Sequence, residues 1–375
     1  MIIELEELVK NGEIEIKTGP FGTQLKAAEY VESGTPVLNV KNLGYSTVVT
    51  TKVDYVGEKT LERLSMHILK EGDIVFGRKG AVDRHAYIGA NEAGWMQGSD
   101  CIRLRVKTNK INPRYLSYYF LTPKHKAFMI SMCSHGTTMA SLNQGILSKI
   151  EIDLPERCIQ DRIVSIIAVL DKKRKTNEKF NKNLEQQAQA IYSRMFIEHR
   201  QESWSTGQLS DLISVKYGKD HKKLADGNYP VYGSGGIMRY VEKPLYTGES
   251  VLIPRKGTLN NIMYVNEAFW SVDTMFYTEM LRPNIAKFVY HFVKSKDLVS
   301  LNAGSAVPSM TTNILNAMQL YIPNEKTLEK FENIVSPMYS AMQENTKESK
   351  ILANTRDALL PKLMSGELDV SDIDL

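Results

Sequence analysis

The stretch GTTMASLNQGILSKIEIDLP (residues 136–155) returns 168 positions later as GSAVPSMTTNILNAMQLYIP (residues 304–323). Five of the twenty aligned positions are identical, and most of the others are conservative replacements. Because 168 is a little under half of the 375 residues, the repeated phrase predicts a chain built from two related halves.

The repeat extends upstream of this phrase. GDIVFGRKG (72–80) matches GESVLIPRKG (248–257), and NPRYLSYYFL (112–121) matches RPNIAKFVYHFV (282–293). The offset between the Arg-Lys-Gly triplets is 177 rather than 168, so we expect the connecting loops of the two halves to differ in length.

Downstream of the phrase the offset stays at 168, which indicates an element that tolerates no change of length. Both copies show an apolar heptad repeat without Gly, and we interpret each as a helix of about 40 residues, roughly 60 Å long. Two such helices, each with an apolar seam, should pair with each other. The heptad positions are Ile163, Leu170, Asn177, Leu184 and Ile191 in the first copy, and Phe331, Met338, Asn345, Leu352 and Leu359 in the second.

An asparagine lies in the middle of each heptad series, at Asn177 and Asn345. A lone amide in an apolar seam costs stability but disfavours other registers. An antiparallel pair would bring the two central amides together, so we predict an antiparallel coiled coil in which both set the helix register. The alternative is that one or both point to solvent.

The segments before each long helix predict a mixed α/β fold, of the α+β kind. Short β-branched runs bounded by Gly or Pro predict strands, and residues 113–132 have helical spacing. The predicted limits are a first globular domain at 1–155, a first long helix at 156–200, a second globular domain at 201–323, a second long helix at 324–368 and an acidic tail at 369–375.

Composition excludes few classes of partner. The net charge of +4 tolerates a polyanion without requiring one. The longest apolar run, Ile163–Leu170, is far shorter than the roughly 20 residues of a membrane span, so we expect a cytoplasmic protein with no membrane partner. Three scattered cysteines and seven histidines show no ligand spacing, so we expect no metal site.

Motifs for catalysis are absent from the sequence. NPRY (112–115) departs from the (D/N/S)PP(Y/F/W) loop of amino-methyltransferases at its third position, and its counterpart RPNI (282–285) keeps only the proline. The shared proline is better explained as the first residue of a helix. GSGG (233–236) lacks the spacing of a dinucleotide-binding loop, and no P-loop occurs. We therefore predict a chain that is not itself an enzyme and has no catalytic residues.

The candidate binding motif shared by both halves is a glycine turn with the sequence Arg-Lys-Gly, at Arg78–Gly80 and Arg255–Gly257. Arginine can grip the guanine O6 and N7 atoms, lysine can neutralise a phosphate, and glycine allows a close approach of the backbone. A solvated hairpin tip is the alternative. The predicted DNA contacts are Arg78, Lys79, Arg255 and Lys256, with Gln24, Lys26, Asn42, Arg84, Gln97 and Ser99 in the first half and Lys219, Tyr232, Ser234, Asn260, Asn261 and Ser271 in the second.

This layout resembles the specificity (S) subunit of Type I restriction–modification systems. The resemblance covers nearly the whole chain and rests mainly on residues 136–196 and 304–368, with support from KTGPFGTQLKAAEY (17–30), TPVLNVKNL (35–43) and YPVYGSGGIMRY (229–240). It implies two target recognition domains that read an asymmetric, bipartite site on double-stranded DNA.

The resemblance also implies partners. Two methyltransferase (M) subunits would dock on the long helices and methylate adenine, and restriction (R) subunits would bind further out and cleave DNA. S-adenosylmethionine, ATP and magnesium are expected on those subunits, and this chain needs no cofactor. Helix length would set the unread gap between half-sites, since a DNA turn is about 34 Å. A duplicated coiled-coil scaffold for protein interaction, without DNA readout, is the alternative function.

The sequence departs from the pattern of that family at the start of its first half. The second half opens with WSTGQLSDLI (204–213), whereas the first opens with IIELEELV (2–9) and has no matching tryptophan. This difference leaves open whether the first domain packs against the C-terminal helix in the usual way.

Overall fold

The computed structural model describes residues 2–133, 140–301 and 309–370. The first residues of both copies of the repeated phrase, His135 and residues 371–375 of the predicted acidic tail lie outside these ranges. The chain divides into two compact units. Unit 1 contains residues 1–175 and 348–375, and unit 2 contains residues 176–347, so each unit includes part of both long helices.

Unit 1 is a mixed α/β unit with two four-stranded sheets, ordered β2-β9-β6-β7 and β3-β5-β4-β8. Its strands are β1 (Ile2–Glu4), β2 (Ile14–Thr18), β3 (Tyr30–Val31), β4 (Thr35–Leu38), β5 (Asp54–Val56), β6 (Ile74–Gly77), β7 (His85–Tyr87), β8 (Met96–Gln97), β9 (Cys101–Val106) and β10 (Glu151–Asp153). Its helices are α1 (Leu5–Lys10), α2 (Glu58–Arg63), α3 (Pro113–Tyr119), α4 (Pro123–Cys133), α5 (Gln144–Ser148) and the first part of α6 (Arg157–Tyr192), together with the end of the second long helix.

Unit 2 is built around one six-stranded sheet, ordered β12-β17-β15-β16-β13-β14. Its strands are β11 (Ser205–Gln208), β12 (Ile213–Tyr217), β13 (Asp226–Gly233), β14 (Gly236–Val241), β15 (Tyr246–Pro254), β16 (Met263–Ser271), β17 (Met275–Met280) and β18 (Gln319–Ile322). Its helices are the second part of α6, α7 (Ala286–Lys294), α8 (Thr312–Asn316) and the first part of α9 (Glu325–Met364), and a π-helical segment at Ser193–Glu198 follows α6.

Helix starts explain two of the repeated motifs. Asn112 caps α3, where its side chain accepts from the Arg114 backbone N–H at 2.8 Å and proline occupies the first turn. NPRY is therefore a capped helix start, as predicted. Inside the repeated phrase, Asn143 and Thr311 cap α5 and α8 at corresponding positions, each accepting from the backbone N–H three residues later.

The start of each half pairs with the strand that leads into its long helix. β1 pairs antiparallel with β10, and β11 pairs antiparallel with β18. The apparently different openings of the two halves thus form the same structure. In unit 1, Leu5 and Leu8 share a core with Leu360, Leu363 and Met364 of α9, so the first globular part does pack against the end of the C-terminal helix.

The long helices pair antiparallel in both units, as predicted. In unit 2, Asn181 Nδ2 donates to the Met342 carbonyl at 3.1 Å, while Tyr192 further along packs its ring against Phe331, which comes earlier in α9. In unit 1, Arg356 Nη1 lies 3.2 Å from Asp171 Oδ1. Residue numbers thus rise along one helix as those of its contacts fall along the other.

The two central asparagines lie in contact. Asn177 is 3% exposed, and its Nδ2 donates to the Asn345 carbonyl at 3.4 Å. The alternative that Asn177 points to solvent is therefore wrong. No helix within the described ranges has the length and apolar content needed to cross a bilayer.

Candidate nucleic-acid interface

The Arg-Lys-Gly turns occupy the same place in both units. Arg78–Gly80 follows the fully buried strand β6, and Arg255–Gly257 follows the buried end of β15. The Arg78 backbone N–H donates to the Asp100 carbonyl at 2.8 Å, and the Arg255 N–H donates to the Thr274 carbonyl at 2.9 Å. Gly80 and Gly257 have φ of 75° and 88°, the left-handed region that glycine adopts most readily.

The turns are joined to the repeated phrase. Lys79 forms an antiparallel bridge with Ser141, and Lys256 forms the same bridge with Ser309. Next to these bridges, the Arg78 carbonyl accepts from the Leu142 N–H at 2.7 Å, and the Arg255 carbonyl accepts from the Met310 N–H at 2.9 Å. Two repeated motifs that lie far apart in the sequence therefore form one substructure, present once in each unit.

Each arginine lies over an exposed aromatic ring. The Arg78 guanidinium carbon is 5.4 Å from the centroid of the Phe21 ring, and that of Arg255 is 5.4 Å from the Tyr217 ring. Phe21 is 56% exposed and Tyr217 is 51% exposed. A cation over an aromatic face at an exposed site gains about 0.5–1 kcal/mol.

The two rings reach equivalent places from different sequence positions. Gly19 and Gly218 mark the equivalence, because a Cβ on either would lie 2.0 Å from a carbonyl oxygen, that of Gly98 or Val272. Phe21 follows its glycine by two residues, whereas Tyr217 precedes its glycine by one. No motif shared by the two halves contains either ring, so the sequence repeat does not predict them.

The cationic groups of the turns are open to a polyanion. Within the part of the chain that the structure describes, no ion pair involves Arg78, Lys79, Arg255 or Lys256. Arg255 Nη1 makes a long hydrogen bond of 3.4 Å to the Asp273 carbonyl. Lys79 and Lys256 are exposed, and both arginines are partly exposed. These side chains can therefore exchange water for phosphate or base atoms without breaking a salt bridge.

Other predicted contacts in unit 1 lie near this turn. Gln24 and Lys26 are exposed on the segment that follows Phe21, and the Gln24 N–H donates to the Phe21 carbonyl at 2.6 Å. Ser99 is partly exposed and precedes Asp100, whose carbonyl holds the turn. The structure thus brings Gln24 and Ser99 to the region of Arg78, while the Lys26 backbone N–H donates to Glu29.

Arg84 belongs to a second cluster at the far end of the same turn. Its guanidinium carbon lies 5.5 Å from the centroid of the Tyr45 ring, and Lys126 Nζ from α4 lies 4.8 Å from the same centroid. The Tyr45 hydroxyl donates to Asp83 Oδ2 at 2.9 Å. Sequence analysis identified Arg84 but not Lys126 or Tyr45, which lie elsewhere in the chain.

Three predicted contact residues are instead fully buried. Asn42 donates to the Val49 carbonyl at 2.9 Å, and Gln97 donates to the carbonyls of Lys17 and Cys101, both at 3.0 Å. Ser271 is also 0% exposed and occupies the position in unit 2 that Gln97 occupies in unit 1, since both pair with the preceding parallel strand. None of these three side chains has surface to offer a ligand, and Asn42 and Gln97 instead bind backbone carbonyls.

The remaining predicted residues of unit 2 divide between the turn and its surroundings. Ser234 lies beside the turn, because its Oγ would be 3.0 Å from a Cβ on Gly257, and its carbonyl accepts from Asn261 Nδ2 at 2.7 Å. Lys219 is exposed, and its carbonyl accepts from Trp270 Nε1 at 2.9 Å.

Two residues have their side chains engaged elsewhere. Asn260 donates to Asp297 at 3.0 Å and accepts from the Leu298 N–H at 2.9 Å, which ties together two loops. The Tyr232 hydroxyl donates to Glu267 at 2.6 Å, and burial, with a smaller contribution from Glu267, raises the pKa of this hydroxyl, which therefore stays protonated.

Comparison with known proteins gives a consistent result over most of the chain. The family model described as "Type I restriction modification DNA specificity domain" matches residues 7–186 and 201–353. The Type I restriction enzyme MjaIX specificity subunit of Methanocaldococcus jannaschii is 21% identical, over 93% of this chain and 90% of the relative. The putative MjaX specificity subunit of the same organism is 25% identical, over 90% and 88%.

A solved structure agrees at the level of the fold. The S subunit of a Type I restriction–modification system from M. genitalium has a TM-score of 0.57 and 16% sequence identity, and the match covers 99% of this chain and 96% of that one. Two copies of the family's domain therefore account for both units and for most of both long helices. The chain belongs to the family of Type I restriction modification DNA specificity domains.

Proposed function

We propose that this chain is the non-catalytic, DNA-reading subunit of a Type I restriction–modification complex, and that it recognises an asymmetric bipartite site on double-stranded DNA. The observation that supports this most directly is the duplicated turn, with Arg78 and Lys79 in unit 1 and Arg255 and Lys256 in unit 2. A scaffold without DNA readout would not require two exposed cationic turns at equivalent places.

The chemistry of the turns suits the two tasks of DNA recognition. A guanidinium fork can make a two-pronged contact with guanine in the major groove, and an exposed lysine can neutralise a phosphate. The surroundings of the turns differ, because Arg84 and Tyr45 lie at the far end of the first turn and Asn261 and Ser234 at the far end of the second. Because the residues around the two turns differ, this supports two half-sites of different sequence.

The assignment of the chain follows from the same proposal. We propose that residues 1–155 and 201–323 read DNA, that residues 156–200 and 324–368 are spacer and docking helices, and that residues 369–375 form a tail. Two M subunits would bring S-adenosylmethionine and methylate adenine, and R subunits would use ATP and magnesium to cleave DNA. The length of the helices would set the number of unread base pairs.

The test begins with methylome mapping of cells that express this chain with its M subunits. A single bipartite motif with methylated adenine is expected. Purified complexes with Arg78→Ala or Arg255→Ala should then each lose discrimination in one half-site only, by about 1–3 kcal/mol per lost base contact. Lys10→Ala is a matched control, because Lys10 lies on α1 and pairs with Glu6 at 2.9 Å.

Two outcomes would contradict the proposal. One is a complex that binds cognate and scrambled half-sites equally. The other is a pair of arginine variants that retain full discrimination at every position of the motif.

A further inference from the structure

We infer that Phe21 and Tyr217 are positioning residues for DNA readout, and that each holds its arginine ready for a base contact. This inference rests on the proposed function, because it assigns a role to the rings beneath Arg78 and Arg255. It goes beyond that function by naming residues outside every motif shared by the two halves.

The first support is that the geometry occurs twice. The distance from guanidinium carbon to ring centroid is 5.4 Å in both units, although the rings come from non-equivalent sequence positions. Backbone equivalence cannot explain this, since Phe21 follows Gly19 and Tyr217 precedes Gly218. What the two units share is the need for an aromatic face at this place.

The second support is exposure. Phe21 belongs to none of the buried apolar clusters of the described residues and is more than half exposed, so it contributes little to folding. Tyr217 is also more than half exposed, and its ring contacts Phe276 edge-on with centroids 5.0 Å apart. Among the described residues, the ring contact of Phe21 is the one with the Arg78 guanidinium above it.

The third support is the chemical difference between an aromatic ring and a carboxylate as the partner of a guanidinium. A carboxylate would neutralise the guanidinium and occupy two of its N–H donors. An aromatic face holds the same group by its flat side and leaves the in-plane donors free. An arginine side chain loses rotamer freedom when it is fixed, so a group that restrains it before binding lowers the cost of the contact.

The experiment measures base discrimination with duplexes that carry single substitutions across both half-sites. Phe21→Leu keeps an apolar side chain but removes the ring, and Phe21→Tyr keeps the ring. We expect Phe21→Leu to reduce discrimination by about 3- to 10-fold at the positions that Arg78→Ala relaxes, with the other half-site unchanged. Tyr217→Leu and Tyr217→Phe should give the mirror result in the other half-site.

A double-mutant cycle separates positioning from a general structural role. In the Arg78→Ala background, Phe21→Leu should have no further effect on discrimination, because the group that the ring holds is gone. Additive effects, or an equal loss of affinity for all sequences, would overturn the inference. The inference would also be overturned if Phe21→Leu kept full base discrimination while Arg78→Ala lost it. That result would leave the proposed function intact. If Arg78→Ala and Arg255→Ala both retain full discrimination, the proposed function and this inference fail together.

Discussion

Asn345 Nδ2 donates to Asn181 Oδ1 at 2.9 Å, one helical turn away from the predicted partner Asn177. Asn181 in turn donates to the Met342 carbonyl and to Thr346 Oγ1, at 3.1 and 3.2 Å. Asn177 Nδ2 donates to the Asn345 backbone carbonyl. The central amides therefore form a small network that includes a third asparagine outside the heptad series.

We expect this network to contribute to the stability of the helix pair. Asn345→Ala removes the donor to Asn181 Oδ1 without adding an apolar side chain to the seam, and it should lower the free energy of unfolding by about 1 kcal/mol, measured by urea denaturation. Asn183→Ala, at an exposed position on the partner helix α6, is the control and should have little effect. If both substitutions changed the free energy of unfolding equally, the asparagines would not set the helix register.

The close approach at Gly19 and Gly218 leads to a second prediction. A Cβ at either position would lie 2.0 Å from a backbone carbonyl oxygen, which no side-chain movement can relieve. Gly19→Ala and Gly218→Ala should each cost roughly 1–3 kcal/mol of stability, seen as a lower thermal midpoint. Gly22→Ala, where no atom lies within 4 Å of the added Cβ, should leave the midpoint nearly unchanged.

A buried histidine predicts a loss of stability in acid. His291 lies between Gln189 and Tyr339, and a neutral ring satisfies both contacts when Nδ1–H donates to Gln189 and Nε2 accepts from Tyr339. Burial lowers the pKa of His291 from 6.5 to about 4, and Lys294 adds to this effect while Glu185 opposes it. The folded state therefore takes up this proton less readily than the unfolded state.

Protonation of His291 makes the folded state less stable in acid. Stability from His291 is fully present above pH 6.5 and is lost as the pH falls towards 4, by about 3 kcal/mol in all. Carboxylates such as Glu185 and Glu249, whose pKa values are lowered, act in the same direction at lower pH. His291→Gln should reduce the wild-type dependence of the unfolding midpoint between pH 6.5 and 4, while His85 and His125, whose pKa values burial lowers to about 3, maintain the rest of it. A variant whose pH profile parallels the wild type would contradict the assignment.

Arg84 and Lys126 predict an asymmetry between the half-sites. Both cations lie over the exposed Tyr45 ring in unit 1, whereas in unit 2 the residue at the same distance from the turn is Asn261. We expect these cations to contact phosphates. Arg84→Gln and Lys126→Gln should weaken binding to all sequences alike, and each should reduce the slope of log affinity against log salt by about 1.

The salt titration has its own control. Lys10→Gln, which breaks a surface pair with Glu6, should leave the slope unchanged. A loss of base discrimination in Arg84→Gln, with the slope intact, would move this residue from phosphate contact to base readout.

The helix pair could be predicted because its signal is periodic and local. Seven-residue spacing from Ile163 onwards, matched from Phe331, specifies an apolar seam without knowledge of any other part of the fold. The Arg-Lys-Gly turns could also be found, because their residues are contiguous and occur twice.

The aromatic rings and the buried polar residues could not be predicted in this way. Phe21 and Tyr217 acquire their common role only when the sheets bring them under an arginine from another strand. Asn42 and Gln97 have side chains suited to base edges, yet backbone carbonyls occupy them in the interior. Residue type states which hydrogen bonds a side chain can form, and only the fold decides where the partners are.

The pairing of β1 with β10 and of β11 with β18 places the two ends of each globular part next to each other. A segment whose entry and exit are neighbours can be exchanged as a piece, because the helices beyond it need not move to accept a new one. Recombination at two points in a gene could therefore replace one globular domain with a domain from another gene. New target sequences would then arise in a single event, without step-by-step change of individual base contacts.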